Sequence, residues 1–264
     1  MPLTTTTDHA AIRALVEPLL AADPVRHTVL GTMLLMLEGS AWAATDGDRL
    51  AVRSGALYPV LLVGTWTEER RGELHGLLAA LDDLTALSGA EDQVWPLAEL
   101  LGVDPTVERQ RLYRLDRLTE PAVDGYAVVA GPEHRAFARA CVAAFAAEAR
   151  DDIPRTDAVA DTSLDGGLLH LWLDPAGEPT AIACRRPVIS GSARIGPVYT
   201  PPEQRGRGYG SGVTASATRS ILDDGAIPVL FTDLDNPTSN KIYQTLGYHP
   251  VEDRVYVARR GPIP

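Results

Sequence analysis

Residues 203–212 read EQRGRGYGSG and run straight into VTASATRSIL. Glycine stands at every second position from Gly206 to Gly212, and the first two glycines each follow an arginine. The start of a helix leaves backbone N–H groups unpaired and carries a partial positive charge. A diphosphate satisfies both, provided no Cβ blocks its approach. Glycine removes the Cβ and lets the loop curl its N–H groups inward. Arg205 and Arg207 add full charges beside them. Arg205, Gly206, Arg207, Gly208, Tyr209, Gly210 and Ser211 therefore read as a diphosphate cradle at the head of a helix over 208–223. A glycine-rich turn with no ligand has the same local pattern. The Walker pattern is absent, because the chain has no Gly-Lys pair. The dinucleotide pattern GxGxxG fails at Ser211 when begun at Gly206 and at Val213 when begun at Gly208. What fits is R-x-x-G-x-G, as Arg205, Gly208 and Gly210.

A second motif follows, DLDNPTSNKIYQTLGYHPV at 233–251. Asn236 can cap a short helix that starts at Pro237, where the missing N–H costs nothing. Gly247 ends it. Asn240 and Tyr243 stand three apart and so neighbour each other on its surface. Tyr243 is open to two readings, a core aromatic or a phenol placed at a site.

The pair VYTPPEQRGRGYGSG and NPTSNKIYQTLGY, about 30 residues apart, resembles the GNAT superfamily of acetyl-CoA-dependent N-acetyltransferases. The resemblance is specific over 190–250, extends over 124–264 and is poor over 1–123. It implies that the strand ending Val198-Tyr199-Thr200 splays from the neighbouring strand VLFTDL and holds a pantetheine arm by its main chain. The N–H of Val198 would polarise the thioester carbonyl. Arg205 to Ser211 would wrap the pyrophosphate, and Asn236 and Asn240 would line the co-substrate. Tyr243 would protonate the departing thiolate. Acetyl-CoA is then the co-substrate and no metal is needed. The partner is an amine on a small molecule or a protein, attacking directly in a ternary complex. The competing reading is a non-catalytic acyl-CoA sensor or scaffold. The strand 193–200 lacks the carboxylate base that some members place there. Asp233, Asp235 and Glu203 lie close to the motifs, and His170 in LLHLWL is a further base candidate, set against a structural strand histidine. Cys184 reads as a buried apolar residue. Acceptor contacts fall to the variable loops at 150–167 and 187–192.

Elements that position these residues follow from periodicity. Over 124–264 the expected order is β-α-(α)-β-β-β-α-β-α-β. Strands fall at 125–131, 168–173, 180–186, 193–200, 229–234 and 253–259. Helices fall at 132–150, 208–223 and after Asn236, and 151–167 reads as loop or short helix. Over 1–123, helices are expected at 8–22 and 68–82, helix or strand at 27–38, and strands at 41–45, 49–53, 57–64 and 111–118. Residues 57–82 echo the strand–loop–helix order around the glycine loop. They carry Glu68, Glu69 and Glu73 where a diphosphate would sit. The expected fold class is α/β (α+β), a mixed, mostly antiparallel sheet flanked by helices, in two tandem domains. Residues 1–123 form a degenerate GNAT-like or other α+β domain, and 124–264 the acetyl-CoA-binding domain.

Composition narrows the class further. The chain has 264 residues, 45% hydrophobic and 22% charged, with net charge −11. Phosphate binding along nucleic acid needs an excess of Lys and Arg, so nucleic acid is not an expected partner. Residues 1–123 carry 10 basic and 18 acidic side chains, and residues 124–264 carry 14 and 17. The two cysteines, Cys141 and Cys184, have no metal-ligand spacing and suggest no disulfide framework. The run TVLGTMLLML at 28–37 is too short to span a bilayer. A reduced cytoplasmic protein without a membrane partner is the expectation.

Overall fold

A computed structural model describes residues 1–102, 105–149 and 156–259. In chain order the elements are β1 (Thr4–Thr6), α1 (His9–Ala22), α2 (Thr28–Leu34), β2 (Trp42–Thr45), β3 (Leu50–Arg53), β4 (Val60–Val63), α3 (Glu68–Ala79), β5 (Ala86–Ala90), α4 (Glu91–Leu100) and β6 (Pro105–Leu115). The same ten kinds of element then recur in the same order. They are β7 (Tyr126–Val129), α5 (Arg135–Ala149), α6 (Thr156–Asp165), β8 (Leu169–Leu173), β9 (Pro179–Arg185), β10 (Ser192–Tyr199), α7 (Tyr209–Asp223), β11 (Ile227–Asp233), α8 (Pro237–Leu246) and β12 (Tyr248–Arg259).

The chain divides into two compact units. Unit 1 holds Met1–Leu112, Asp233–Asp235 and the C-terminal run from Val251; unit 2 holds Tyr113–Thr232 and Asn236–Pro250. In unit 1 the strand order is β1-β2-β3-β4-β5-β12. All recorded pairings there are antiparallel except β4 with β5, where Val60 faces Leu87 and Leu61 faces Ser88. Its core packs Trp42, Val60, Leu62 and Leu87 of the sheet against Trp66, Leu74 and Leu78 from α3 and its approach, and Val94 and Leu97 of α4. In unit 2 the order is β7-β8-β9-β10-β11, and only the last three residues of β6, from Tyr113, belong to this unit. Here β10 and β11 are the parallel pair, and α7 supplies the crossover that parallel strands require.

The unit 2 sheet is buried on both faces, and β9 shows how. Ala181 and Ala183 pack with Val213, Ala217 and Ile221 of α7. Ile182 and Cys184, on the alternate face, pack with Ala138, Cys141 and Val142 of α5 and Leu164 of α6. Cys184 is fully enclosed, and burial pushes its thiol up to about 11. Gly212 of α7 lies against the Trp172 ring, where an added Cβ would stand 2.7 Å from ring carbons. Small residues on the helix and on the sheet therefore set how near α7 sits.

The expected mixed, mostly antiparallel fold is observed, with most helices and strands within a few residues of their expected limits. The segment at 27–38 is the helix α2, and β6 begins six residues before the expected 111. The polar stretch after 150 contains the ten-residue helix α6, held to α5 by ion pairs of Arg135 and Arg139 with Asp161. β1, β5 and α4 carried no clear sequence signal. β5 is ALSGA, too small-sided to look like a strand, and α4 contains Pro96. Among the described residues, no helix is long and apolar enough to cross a membrane.

One titratable group is built into the unit 2 core. His170 on β8 is 3% exposed, with Nδ1 3.0 Å from Ser216 Oγ of α7 and Nε2 buried without a partner. Burial, helped by Arg185, pushes its pKa down to about 4. The unfolded chain, with histidine near about 6.5, binds more protons than the folded one between those values. Stability is therefore highest above pH ~6.5 and falls as pH drops toward 4, by up to roughly 3 kcal/mol from this group. Urea unfolding of the protein and of His170→Gln, from pH 7 to 4, should show the native chain losing more stability than the variant. Parallel curves would remove the account.

Candidate active site

The site is assembled where β10 ends and α7 begins. The β10–β11 ladder runs from Ser192↔Ile227 to Ile195↔Leu230 and goes no further, although β10 continues to Tyr199. Val198 and Tyr199 stay paired on the other side, with Ala183 and Ile182 of β9. A gap between two parallel strands therefore opens beside Val198, with one strand edge released from its neighbour.

The chain then turns through residues 200–208 into α7. Gly206 and Gly208 adopt φ of +79° and +84°, a region that disfavours any side chain with a Cβ. Gly208 is the N-cap of α7. Its carbonyl accepts from the N–H groups of Ser211 and Gly212, which are thereby occupied. The N–H groups of residues 206 to 210 have no protein acceptor among the described residues. Five successive donors are thus free at the positive end of a 15-residue helix. A Cβ added at Gly206 would meet only open space, so the cradle is open on that side. Donor set and glycine geometry fit a diphosphate.

The side chains of this loop divide their work. Arg207 is exposed, whereas Tyr209 turns into the core beside Val213 and leaves only its main chain at the surface. Gly210 packs close to Thr200, whose Oγ1 would lie 3.3 Å from an added Cβ. Arg205 is not a free cation. Its Nε donates to Thr200 O at 2.9 Å and its Nη2 to Glu148 Oε2 at 2.6 Å, and its guanidinium lies 5.5 Å from the Tyr199 ring centroid. Tyr199 donates to the other oxygen of Glu148 at 2.6 Å. These bonds from Tyr199 and Arg205 hold the Glu148 carboxyl below its ordinary range. Burial, reinforced by that anion, pushes Tyr199 up to about 12. The Arg205–Glu148 pair is half exposed, so its direct worth to stability is small, roughly 1 kcal/mol or less. Its effect is directional: the end of α5, the end of β10 and the start of the loop are tied at one carboxylate. Glu148 was not legible as a site residue, because its partners lie 51 and 57 residues away.

The second motif folds as its residue types require. Asn236 caps α8, accepting from Ser239 N at 3.0 Å, Pro237 is the first helical residue, and Gly247 closes the helix at φ +100°. Asn240 donates from Nδ2 to Asn236 O at 2.8 Å and accepts from Tyr113 Oη at 2.8 Å. Tyr113, on β6, is fully buried and also accepts from Gln244 Nε2. Tyr243 is 8% exposed, with its ring 6.4 Å from Tyr113 and 6.2 Å from Tyr248. Its hydroxyl makes no protein hydrogen bond among the described residues, yet it is not among the fully enclosed polar atoms without a partner. Burial pushes this phenol up to about 12. Tyr243 is thus a core aromatic whose polar tip remains uncommitted.

Of the other candidates, His170 is enclosed as described. Glu203, Asp233 and Asp235 are exposed. Of the acceptor loops, residues 150–155 lie outside the described residues. In unit 1 the position matching the glycine loop is the head of α3. Thr67 caps it, Glu68 and Glu69 occupy its first turn, and Glu73 accepts from Leu3 N and Arg70. The Thr67 hydroxyl caps the helix end, and the first-turn acids complement its positive charge and repel an anion.

A model of the FR47-like protein family matches residues 180–257. A search of curated proteins finds no match. Among solved structures, a GNAT-family acetyltransferase from Colwellia psychrerythraea is 14% identical with a TM-score of 0.61, over 98% of this chain and 100% of that one. A GCN5-related N-acetyltransferase from Kribbella flavida is 17% identical with a TM-score of 0.64, over 92% and 96% of the two chains. A tandem GNAT protein from the clavulanic acid biosynthesis pathway is 13% identical with a TM-score of 0.57, over 98% and 99%. At these identities the structural likeness is one of fold, while the family match spans both motifs of the site. The chain thus has the fold of these GNAT acetyltransferases and, over residues 180–257, resembles the FR47-like family.

Proposed function

We propose that unit 2 is an acyl-CoA-dependent N-acetyltransferase that moves an acetyl group to an amine on a small molecule or a protein. The observation that carries this reading is the run of five unpaired N–H groups at the head of α7, next to the gap between β10 and β11. Residues 206–210 would hold the diphosphate, with Arg207 as the free charge and Arg205 as the staple that fixes the loop. The released edge of β10 at Val198 to Thr200 would take the pantetheine amides, and the Val198 N–H would face the thioester oxygen. Asn236 would serve through the helix it caps. Asn240, engaged with Tyr113, would hold the second motif in register.

The co-substrate supplies a thioester acyl group, and transfer to a neutral amine gives an amide and a free thiol. Tyr243 is the group for the departing sulfur. With its pKa at about 12 it stays protonated at neutral pH. Full proton transfer to a thiolate near about 8.5 would run uphill by roughly 5 kcal/mol. Its role is therefore to donate a hydrogen bond that stabilises the thiolate, while the proton released by the amine ends on the thiol. Glu148 is a poor base because two donors hold it as the anion, and His170 is closed off. The ammonium form of the acceptor therefore loses its first proton to water before attack, and only the second, released on attack, ends on the thiol. Unit 1 reads as a degenerate copy of the same fold, supported by the recurring element order and by the acids at the head of α3.

Two substitutions test the reading. Gly208→Asp places an anion in the cradle and, at φ +84° with Val123 3.1 Å from the new Cβ, also strains the turn, so circular dichroism must first show the helices retained. Titration calorimetry should find acetyl-CoA affinity lowered about 100-fold or more. Unchanged affinity would remove the cradle. Tyr243→Phe should lower kcat about 10- to 100-fold with little change in the KM for acetyl-CoA. Equal turnover would leave Tyr243 a packing residue.

A further inference from the structure

The glycine loop has an open side and a closed side. A Cβ added at Gly206 would meet nothing within 4 Å, whereas one added at Gly208 would stand 3.1 Å from Val123 Cγ2. Val123 belongs to neither motif of the site. It lies in residues 116–125, the segment that joins β6 to β7. Over 121–125 burial alternates: Pro121, Val123 and Gly125 are half-buried, and Ala122 and Asp124 are exposed. An extended chain laid along a surface has that period.

The surface beneath it is one face of α7. Gly208 and Gly212 are four apart and Arg219 is seven further on, so the three share that face. Val123 meets the first, and the Trp172 ring meets the second. Trp172 Nε1 donates to Asp124 O at 3.0 Å, and Glu120 pairs with Arg219. The segment therefore runs antiparallel to α7, from Arg219 back to the helix head. Both of its ends are fixed. Asp116 N donates to Gly247 O at 3.3 Å and Thr119 N to Leu246 O at 2.9 Å, where α8 ends. At the other end Gly125 takes φ +106°, and any Cβ there would collide with Leu173 O.

Val123 also packs against the core that holds Tyr209 and Val213 of α7. Its isopropyl group fills the space behind Gly208 and keeps water out of it. Free backbone N–H groups hold a diphosphate tightly only when their directions are set before the ligand arrives. The glycines that free those donors also leave the loop pliable. Its rigidity must come from contacts outside it, from Thr200 at Gly210 and from Val123 at Gly208.

We infer that Val123 is a positioning residue for the cradle: the strap 116–125 holds its side chain against Gly208 and so fixes the directions of the N–H groups of residues 206–210. The inference rests on the acyl-CoA reading of unit 2. Val123 acts through the main chain of the loop and offers the ligand no polar atom, while Arg207 keeps its place as the loop's free charge.

The test is calorimetric titration of the full chain and its Val123→Ala and Val123→Ile variants with acetyl-CoA, paired with backbone amide exchange in the saturated complexes. Val123→Ala should bind about tenfold more weakly. In its complex, residues 206–210 should exchange faster than in the unmodified chain, while β8 and β9 exchange alike in both. Val123→Ile keeps the branched shape and should stay within about twofold of the unmodified affinity. Equal affinity of Val123→Ala and the unmodified chain would overturn the positioning role and leave the acyl-CoA reading standing. Faster exchange spread evenly through unit 2 would make Val123 an ordinary packing residue and overturn the role as well. Failure of the unmodified chain to bind acetyl-CoA would bring down the underlying reading, and this inference with it.

Discussion

The candidate site depends on how closely α7 can sit on its sheet. Ala181, Ala183 and Ala193 face the helix, and Gly212 takes the Trp172 ring where any Cβ would collide. Larger side chains on either surface would lift the helix and carry its free N–H groups away from the end of β10. The packing that stabilises unit 2 is therefore the same packing that aims its donors. The left-handed glycines at 206 and 208 complete the arrangement by letting the chain reach the helix without occupying the space in front of it.

Around that seat, polar side chains act as fixings more than as reagents. Arg205, Tyr199 and Glu148 close one corner, and Tyr113, Asn240 and Gln244 another. Each network leaves one neighbour uncommitted: Arg207 beside the first and the Tyr243 hydroxyl beside the second. A site that works by proximity and oriented donors needs few reactive groups. It needs those few held still. The absence of a well-placed base among the described side chains fits chemistry in which the amine, once neutral, is nucleophile enough.

Much of this was legible locally. Asn236, Pro237 and Gly247 marked a short helix by capping chemistry alone, and the glycine loop announced a helix start with its Cβ atoms removed. Alternating and 3.6-residue periodicity located most strands and helices of unit 2. What escaped had non-local causes. Glu148 gains its meaning only when the end of α5 meets residues more than 50 positions later. β5 is a strand because β4 and β12 pair with it, since its own small residues favour no particular structure. Arg205 looked like a phosphate ligand by charge and position, and only the fold reveals the carboxylate that holds it.

The central claim is that the N–H groups of residues 206–210 are left unpaired for a diphosphate. Backbone amide exchange, measured residue by residue with and without acetyl-CoA, addresses it directly. The account predicts strong new protection at residues 206–210 and along Val198–Thr200, with the head of α3 in unit 1 unchanged. Protection at α3, or none at the glycine loop under saturating acetyl-CoA, would contradict it.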